Sequence, residues 1–275
     1  MENSLCLCLG VLRSGSTWSY NVCRSLGKVS AMRRGEPFRA GFMGGRQLDT
    51  WLKTEGMKPG GTGGTTVIKA HDITYTALAW LTTGRAKAIC TYRDPRDCVV
   101  SMLTFVGGDI AATCRRIADN FEYLRLCQEA GNTLFVRYEE IMADPIGQIE
   151  QIARQLNIEV DQATLGEIEL ANNVENTKKI CDDLKNRPEK EVAISESHRV
   201  DPVTILHDNH IFNAKIGRWK EELSEGQGEA ISDFFRPWLV ALGYEADAGG
   251  RVCKPLENLP AKGACAGVPE ILEGK

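Results

Sequence analysis

The chain has 275 residues, of which 43% are hydrophobic and 25% are charged. This balance is that of an ordinary soluble globule with a sizeable core, and it excludes a fully disordered chain, a collagen-like chain and a coiled coil. The 33 Lys and Arg residues against 37 Asp and Glu give a net charge of −4, so we expect no nucleic-acid partner. A local basic site for one small polyanion is compatible with this charge.

Apolar runs alternate with longer amphipathic stretches over the first 156 residues. Strands that are apolar throughout and separated by helices favour an α/β fold of three layers, with a central parallel sheet flanked by helices. The predicted strands are Leu5–Leu9, Thr66–Lys69, Lys87–Tyr92 and Thr133–Val136. The predicted helices are Thr17–Leu26, Ile73–Leu81, Pro95–Phe105, Ile110–Ala130 and Ile146–Leu156.

Three other stretches lack this pattern. The glycine-rich run Gly56–Thr65 predicts a flexible loop, and the polar run Asn186–Asn209 is a candidate for a mobile lid. After Tyr244 the chain is rich in Gly, Ala and Pro, which predicts a loosely packed or partly disordered tail.

The cysteine pattern and the first apolar run bear on location. None of the ten cysteines forms a CxxC pair, and a chain of this length has no need of a disulfide framework, so we expect reduced thiols and a cytoplasmic protein. The apolar segment Leu5–Leu12 has only eight residues and follows Glu2, which fits neither a membrane span nor a signal peptide. We therefore expect no membrane association.

The most informative segment is Leu9–Ser19, LGVLRSGSTWS, between a predicted strand and a predicted helix. In such a phosphate-cradling loop, backbone N–H groups at the start of a helix face an anion. The spacing from Gly10 to Gly15 imitates a P-loop, yet Ser16 stands where a nucleotide triphosphatase needs Lys, and the cation is Arg13 inside the loop. The segment predicts an anion site without triphosphate–magnesium chemistry. The alternative is a connection whose small residues serve only the turn.

This segment resembles the phosphosulfate loop of the sulfotransferases that use 3′-phosphoadenosine 5′-phosphosulfate (PAPS). The family pattern [K/R]-S-G-[T/S]-T-W is matched by Arg13, Ser14, Gly15, Ser16, Thr17 and Trp18. The resemblance implies a P-loop-like fold in which Arg13, Ser16 and Thr17 bind the phosphosulfate and Trp18 stacks on adenine. It also implies PAPS as co-substrate, adenosine 3′,5′-bisphosphate (PAP) as product, and no metal.

A second segment, Arg93–Ser101, reads RDPRDCVVS after a predicted strand. It resembles the 3′-phosphate signature of the same family, R-[N/D]-P-[R/K]-D-x-x-x-S, which implies that Arg93 and Ser101 bind that phosphate. Ser101 lies about two helical turns beyond the strand end, so both side chains can converge. The alternative makes Arg93 and Asp97 a surface ion pair, which would contribute little.

The third segment, Thr66–Asp72, reads TVIKAHD. Strand periodicity places Lys69 and His71 on one face, at the end of a strand where α/β sheets bind ligands. The family's K-[T/A]-H element resembles it, which implies His71 as general base on the acceptor and Lys69 near the transferred sulfuryl group, with Arg13 as a further catalytic cation. The alternative for His71 is a satisfied structural histidine.

Two later stretches match the family less fully. LFVRYEEIMADP, residues 134–145, resembles a nucleotide-contacting element, which implies this role for Tyr138; the alternative is a tyrosine that anchors the following helix. The stretch NHIFNAKIGRWKEEL, residues 209–223, resembles the family pattern G-K-x-G-x-W, but Ala214 occupies the position of the first glycine. The residues that complete the 3′-phosphate pocket therefore stay open, with His210 and Lys215 as candidates.

The resemblance covers residues 5–155, apart from the 30–60 stretch, and residues 205–243; residues 30–60 and 157–204 carry no family motif. We expect one domain over 1–275. In it, 157–204 supplies acceptor-side helices and the lid, and 245–275 forms a coil-rich tail. His207 and His210 have no carboxylate or Cys cluster beside them, so we expect no metal site. The expected reaction is sulfuryl transfer from PAPS to a hydroxyl or an amine or amide nitrogen. The rivals are a degenerate P-loop kinase or NTPase and a non-catalytic nucleotide-binding module.

The acceptor is expected to be a small molecule, polar or cationic, because the stretches without family motifs carry many carboxylates. These are Glu36, Asp49, Glu55, Glu167, Glu169, Glu175, Asp182 and Asp183. Solvated surface charge is the alternative explanation. The compact length and the 209–219 variant resemble bacterial sulfotransferases of specialised metabolism, which include enzymes that sulfate guanidinium alkaloids such as saxitoxin. The sequence leaves O- or N-sulfation and the oligomeric state open.

Overall fold

The computed structural model of the chain describes residues 4–54, 64–195, 198–210, 214–261, 263–265 and 267. Its central sheet has five strands: Ser4–Gly10 (β1), Phe38–Phe42 (β2), Thr65–Lys69 (β3), Lys87–Tyr92 (β4) and Thr133–Arg137 (β5). All neighbours pair in parallel, in the order β2-β3-β1-β4-β5. β3 and β2 lie on one side of β1, and β4 and β5 lie on the other, so the strand order reverses at β1. Such a reversal opens a crevice at the carboxyl ends of the strands.

Helices cover both faces of the sheet, and a short antiparallel hairpin, Ala193–Ser195 (β6) with His198–Val200 (β7), lies apart from it. The first helices are Ser16–Arg34 (α1), Gly45–Thr54 (α2), Tyr75–Thr82 (α3), Pro95–Val106 (α4), Ile110–Ala130 (α5) and Tyr138–Ala143 (α6). The remaining ones are Pro145–Leu156 (α7), Gln162–Asn172 (α8), Val174–Leu184 (α9), Trp219–Glu222 (α10) and Glu225–Ala241 (α11).

The alternation of side chains along β1 divides the core into two layers. Leu5, Leu7 and Leu9 pack among apolar residues of α3, α4, α5 and α11. Cys6 and Cys8 face the other way, into a cluster with residues of α1, α7 and α8. The predicted three-layer fold with a central parallel sheet is thereby confirmed.

The predicted elements are all present, with shifted ends. The helix predicted from Ile73 begins at Tyr75, because the Thr74 side chain caps it by accepting a hydrogen bond from the backbone N–H of Ala77. The helix predicted to end at Leu26 continues to Arg34 and stops at Gly35, whose φ is +64°. The prediction did not include β2 and α2, which lie in the 30–60 stretch without family motifs, nor the β6–β7 hairpin and the helices α6, α10 and α11.

The remaining predictions concern loops, thiols and membranes. Most of the predicted 56–65 loop lies outside the described residues, as does part of the tail, although Leu256 and Leu259 pack against the core. The 186–209 stretch contains the β6–β7 hairpin, and its role as a lid stays a prediction. None of the ten cysteines, all of which the structure describes, forms a disulfide. Within the described chain, no helix combines the length and apolar character that crossing a bilayer requires.

Candidate active site

The connection between β1 and α1 forms a cradle at the carboxyl end of β1. Gly15, just before the helix, has a φ of +91°, and a Cβ there would lie 3.3 Å from Cδ2 of Tyr138. Ser16 and Thr17 begin α1, whose first turn carries no acidic residue. Because first-turn N–H groups have no acceptor within their helix, the cradle presents backbone donors and the positive end of a helix dipole.

Ser14 holds this cradle to the sheet. Its hydroxyl is fully buried and lies 2.6 Å from the carbonyl oxygen of Val11 and 2.8 Å from the hydroxyl of Thr91 on β4. Its backbone N–H also donates to Val11. The polar groups of Ser14 therefore position the loop, in contrast to Ser16 and Thr17, which line the cavity above it.

Arg13 joins the first two sequence motifs. Its Nε donates to Oγ of Ser101 at 3.2 Å, and its Nη2 donates to the carbonyl oxygen of His210 at 2.7 Å. The guanidinium lies 4.2 Å above the centre of the Phe105 ring. Burial, together with the charge of Arg93, lowers the pKa of Arg13 to about 10, so it remains a cation at neutral pH.

Lys69 reaches the same cradle from β3. Its Nζ donates to Oγ1 of Thr17 at 2.7 Å, and the residue is only 3% exposed. Burial and then the charge of Arg13 lower the pKa of Lys69 to about 7. An anion bound in the cradle would favour the protonated ammonium, because opposite charges stabilise each other strongly in a buried site.

His71 follows Lys69 at the end of β3, and its ring centre lies 5.5 Å from that of Phe42. Its Nδ1 is buried, with no hydrogen-bond partner among the described residues. Burial, then the charges of Lys69 and Arg116, lower the pKa of His71 to about 3. The imidazole is therefore neutral at pH 7, the form in which it can take up a proton.

Arg93 and Asp97 form an ion pair of 3.0 Å in which both side chains are buried, so the surface-pair alternative is wrong. Arg93 also donates from Nη2 to the carbonyl oxygen of Lys215 at 2.7 Å, while its buried Nε finds no partner within the described chain. Burial lowers the pKa of Arg93, but Tyr138 and Asp97 outweigh it and raise the value above the usual one.

Asp97 also fixes the loop that precedes α10. Its carboxylate accepts hydrogen bonds from the backbone N–H of Gly217 at 2.7 Å and of Trp219 at 3.2 Å. Ala214, where the family pattern has glycine, has a φ of +56°, a region that glycine adopts more easily. Lys215 is half exposed and pairs with Glu221 at 2.5 Å.

Tyr138 begins α6, and the guanidinium of Arg93 lies 4.1 Å above the centre of its ring. Its hydroxyl donates to the carbonyl oxygen of Ala214 at 3.1 Å. Burial raises the pKa of Tyr138. The ring therefore both lines the cavity, together with Trp18, and braces the 214–219 loop.

The histidines of the 198–210 segment surround Phe105. The Nδ1 atom of His210 is buried and has no partner among described residues, and the ring centre lies 5.7 Å from that of His207. Burial and the charge of Arg13 lower the pKa of His210. Within the described chain, only Cys6, Cys8 and Cys23 bring three metal-ligating side chains within 4.8 Å of one another, and they lie in the core.

These groups line one cavity of about 1240 Å³. The predicted residues that line it are Arg13, Gly15, Ser16, Thr17, Trp18, Lys69, His71, Arg93, Ser101, Tyr138, His210 and Lys215. The cavity also has lining residues that sequence reasoning missed, because they follow no motif: Arg24, Arg116, Asn172, Asn173, Asn176, Thr177 and Arg218.

The carboxylates that suggested a cationic acceptor are mostly elsewhere. Of the eight residues, only Glu169 and Glu175 line the cavity, and Glu55 lies outside the described residues. Many of the others form ion pairs: Glu36 with Arg34, Asp49 with Lys53, Asp182 with Lys185 and Asp183 with Arg187. Solvated surface charge explains most of this acidity.

The chain was compared with known protein sequences and with solved structures. A search of curated protein sequences found no match. The chain is similar to mouse sulfotransferase SULT7A1 complexed with PAP, with a TM-score of 0.58 and 15% identity over 86% of this chain and 84% of that one. It is also similar to retinol dehydratase in a complex with retinol and PAP, with a TM-score of 0.59 and 16% identity over 84% and 80% of the two chains.

The same enzyme, retinol dehydratase, with androsterone and PAP matches with a TM-score of 0.55 and 15% identity, over 82% of this chain and 79% of that one. At such identities the likeness shows the fold. The model of the sulfotransferase domain family matches residues 6–243, from β1 to the end of α11, and so includes the cradle, both strand-end motifs and the 214–219 loop. The chain therefore belongs to the sulfotransferase domain family.

Proposed function

We propose that the protein transfers a sulfuryl group from PAPS to a hydroxyl, or to an amine or amide nitrogen, of a small-molecule acceptor, which yields PAP and a sulfated product. The observation that carries the proposal is the convergence of two cationic groups of residues in one cavity. Arg13 and Lys69 meet at the cradle, where Arg13 also bonds Ser101, and Arg93 bonds the carbonyl oxygen of Lys215 in the same cavity. A neutral His71 lies beside the first of them.

Two anion sites of this kind suit a nucleotide that carries one phosphate group at the 5′ position of its ribose and another at the 3′ position. The cradle, with Arg13, Ser16 and Thr17, binds the 5′ end, where first-turn N–H groups add to the cationic charge. Arg93 and Ser101 bind the 3′-phosphate, and the buried Nε of Arg93, which lacks a partner among described residues, supplies a ready donor. Trp18 and Tyr138 provide aromatic surface for adenine.

The chemical roles follow from charge and protonation. An alcohol or amine is a better nucleophile as it loses its proton, so His71 accepts that proton while the new bond to sulfur forms. Lys69 and Arg13 neutralise the charge that develops on the oxygen of the leaving phosphate. Cations and N–H groups held in place before the reaction contribute several kcal/mol in an enclosed site.

His71 is a very weak base in the ligand-free site, since its pKa is about 3. Burial is the main cause, and the charge of Lys69 follows. A bound phosphosulfate offsets that positive charge, which raises the pKa of His71 and strengthens it as a base. Binding of the donor PAPS therefore makes His71 a stronger base for the sulfuryl transfer.

The two rival functions fit the site less well. A P-loop kinase or NTPase requires a Lys at position 16 and a carboxylate for magnesium near the strand ends. Position 16 is a serine, and the cavity-lining carboxylates lie away from the central sheet: Glu169 on α8, Glu175 on α9, and Asp201 after β7, where it pairs with Arg187. A non-catalytic nucleotide-binding module has no use for a neutral His71 beside a buried Lys69.

The test is thermal stabilisation by PAP, by 5′-AMP and by ATP with Mg²⁺. A ligand at about 100 times its dissociation constant stabilises the folded state by about 2.7 kcal/mol. We expect PAP to stabilise most and 5′-AMP much less, and we expect Arg93→Gln to remove the difference. Equal stabilisation by PAP and 5′-AMP, or stabilisation by ATP with Mg²⁺ alone, would refute the proposal. Labelled PAPS with a library of acceptors then identifies the second substrate.

A further inference from the structure

We propose that Arg116 binds a carboxylate or other oxyanion of the acceptor, so that the enzyme sulfates acidic small molecules. The inference rests on the proposed function and deepens it, because it names the chemical class of the second substrate. It replaces the expectation of a cationic acceptor that the acidic stretches of the sequence suggested.

The sheet order places Arg116 at the acceptor end of the cavity. The proposed nucleotide ligands Arg13, Arg93 and Tyr138 follow β1, β4 and β5, which form one side of the sheet. On the other side, His71 follows β3 and Phe42 ends β2, and both line the cavity. Helix α5, which carries Arg116 in its second turn, packs against α3, the helix that follows His71.

Arg116 acts on this end of the cavity electrostatically. Its charge contributes to the low pKa of His71, after burial and Lys69, so the guanidinium lies within electrostatic reach of the imidazole. Because Arg116 and His71 line the same cavity, an acceptor whose nucleophilic group contacts His71 can present an anionic group to Arg116. The ring of Phe42, whose centre lies 5.5 Å from that of His71, also lines the cavity and suits the carbon skeleton of a small molecule.

The guanidinium has its donors available. Arg116 is exposed to the cavity, and it makes no hydrogen bond or ion pair with any residue that the structure describes. The other arginines at the site differ: Arg13 bonds Ser101 and the His210 carbonyl, and Arg218 pairs with Glu222 at 2.7 Å. A planar guanidinium with free donors recognises oxyanions by paired hydrogen bonds.

The negative side chains of the cavity lie away from this end. Glu169 and Glu175 belong to α8 and α9, and α8 packs against α1 and α7. Asp201, which follows β7, pairs with Arg187 at 2.6 Å, and the nearby Val203 and Thr204 carbonyl oxygens accept hydrogen bonds from α1. Asp72 follows His71 but does not line the cavity; burial, and then the charge of Asp72, raise the pKa of Tyr123 on α5. An acidic acceptor at Arg116 therefore meets a cation with no cavity-lining carboxylate of the described chain beside it.

The test compares acids with their uncharged amides as ligands of the protein saturated with PAP. The probes are para-hydroxybenzoate, para-hydroxyphenylacetate and para-hydroxyphenylpropionate, whose increasing length scans the distance from His71. We expect at least one acid to bind about tenfold or more tightly than its amide, since a charge-assisted pair is worth that much in a partly enclosed site. Arg116→Gln removes the preference, and Arg116→Lys retains part of it.

The matched control is Arg115→Gln, which removes a neighbouring exposed charge that does not line the cavity. The inference is overturned if no acid is preferred over its amide, if the preference survives in Arg116→Gln, or if Arg115→Gln removes it equally. A protein that PAP fails to stabilise would instead refute the proposed function. PAP stabilisation without any preference for acids would refute only the role of Arg116.

Discussion

Asp97 and Gly217 are joined by a 2.7 Å hydrogen bond from the backbone N–H of Gly217 to the carboxylate, across 120 residues of sequence. The same carboxylate oxygen lies 3.0 Å from Nη2 of Arg93. One buried acid on α4 thus orients the proposed 3′-phosphate cation and holds the loop that carries Lys215. The ion pair that the family signature contains is a positioning device for both.

Asp97→Asn should weaken PAP binding by at least tenfold, because the neutral amide holds neither Arg93 nor the backbone of Gly217 correctly. The variant should also lose about 3 kcal/mol of stability, the usual effect of breaking a buried ion pair. Calorimetric titration with PAP and with 5′-AMP, alongside urea unfolding, measures both. A folded variant with lower stability but an unchanged PAP affinity would limit Asp97 to a structural role.

His71→Ala should lower turnover by about a hundredfold or more, the usual contribution of a general base, and leave the dissociation constant of PAP nearly unchanged. The two outcomes separate because the ring lies at the end of β3, beside Phe42, rather than in the cradle. Steady-state kinetics with labelled PAPS and PAP titration provide the two numbers. Equal losses in both would assign His71 to architecture.

PAP binding near pH 8 should take up protons from solution. In the free protein the pKa of Lys69 is about 7, so most of its ammonium groups are deprotonated at pH 8. A bound anion raises that pKa, and protons then bind; at pH 5 the group is already charged and the uptake from Lys69 vanishes. Calorimetry in buffers of different ionisation enthalpy measures the uptake. The same uptake in Lys69→Met would show that another group takes up the protons.

Gly10→Ala should destabilise the fold by about 2 kcal/mol or more, the usual range for backbone strain combined with overpacking. Gly10 has a φ of +151°, and a Cβ there would lie 2.9 Å from the carbonyl oxygen of Thr91 and closer still to its hydroxyl. The control is Gly166→Ala, in α8, where a Cβ meets no atom within 4 Å. That change should be neutral or stabilising, since Gly weakens helix interiors. Equal urea midpoints for the two variants would contradict the steric argument.

The sequence predicts the buried strands because burial on both faces leaves an apolar run. It does not predict β2, Phe38–Phe42, whose middle residues Arg39 and Ala40 are exposed at the edge of the sheet. This strand forms because its backbone pairs with β3, from Phe38 opposite Thr65 to Phe42 opposite Lys69. Such pairing depends on a partner 27 residues away, which no local pattern records.

At the site too, the sequence predicts the residues that have a local motif and misses those that depend on distant contacts. Motifs identify Arg13, Lys69 and Arg93, because cations at strand ends and in a glycine loop have a local signature. Arg116 lies on the exposed face of a helix and has none. Its position in the cavity depends on how α5 packs against α3. The role of Asp97 in holding Gly217 likewise depends on a contact distant in sequence.

The cysteines, none of which forms a disulfide, allow local opening of the fold to be measured. Eight are sealed in the interior, and Cys6, Cys8 and Cys23 meet beneath the strand that leads into the cradle. A thiol in such a place reacts with an alkylating reagent only while the surrounding layer is open. The alkylation rate of these three cysteines, measured by mass spectrometry and compared with that of the more accessible Cys253, therefore reports how often that layer opens. A lower rate in the presence of a nucleotide would show how far the bound nucleotide suppresses this opening.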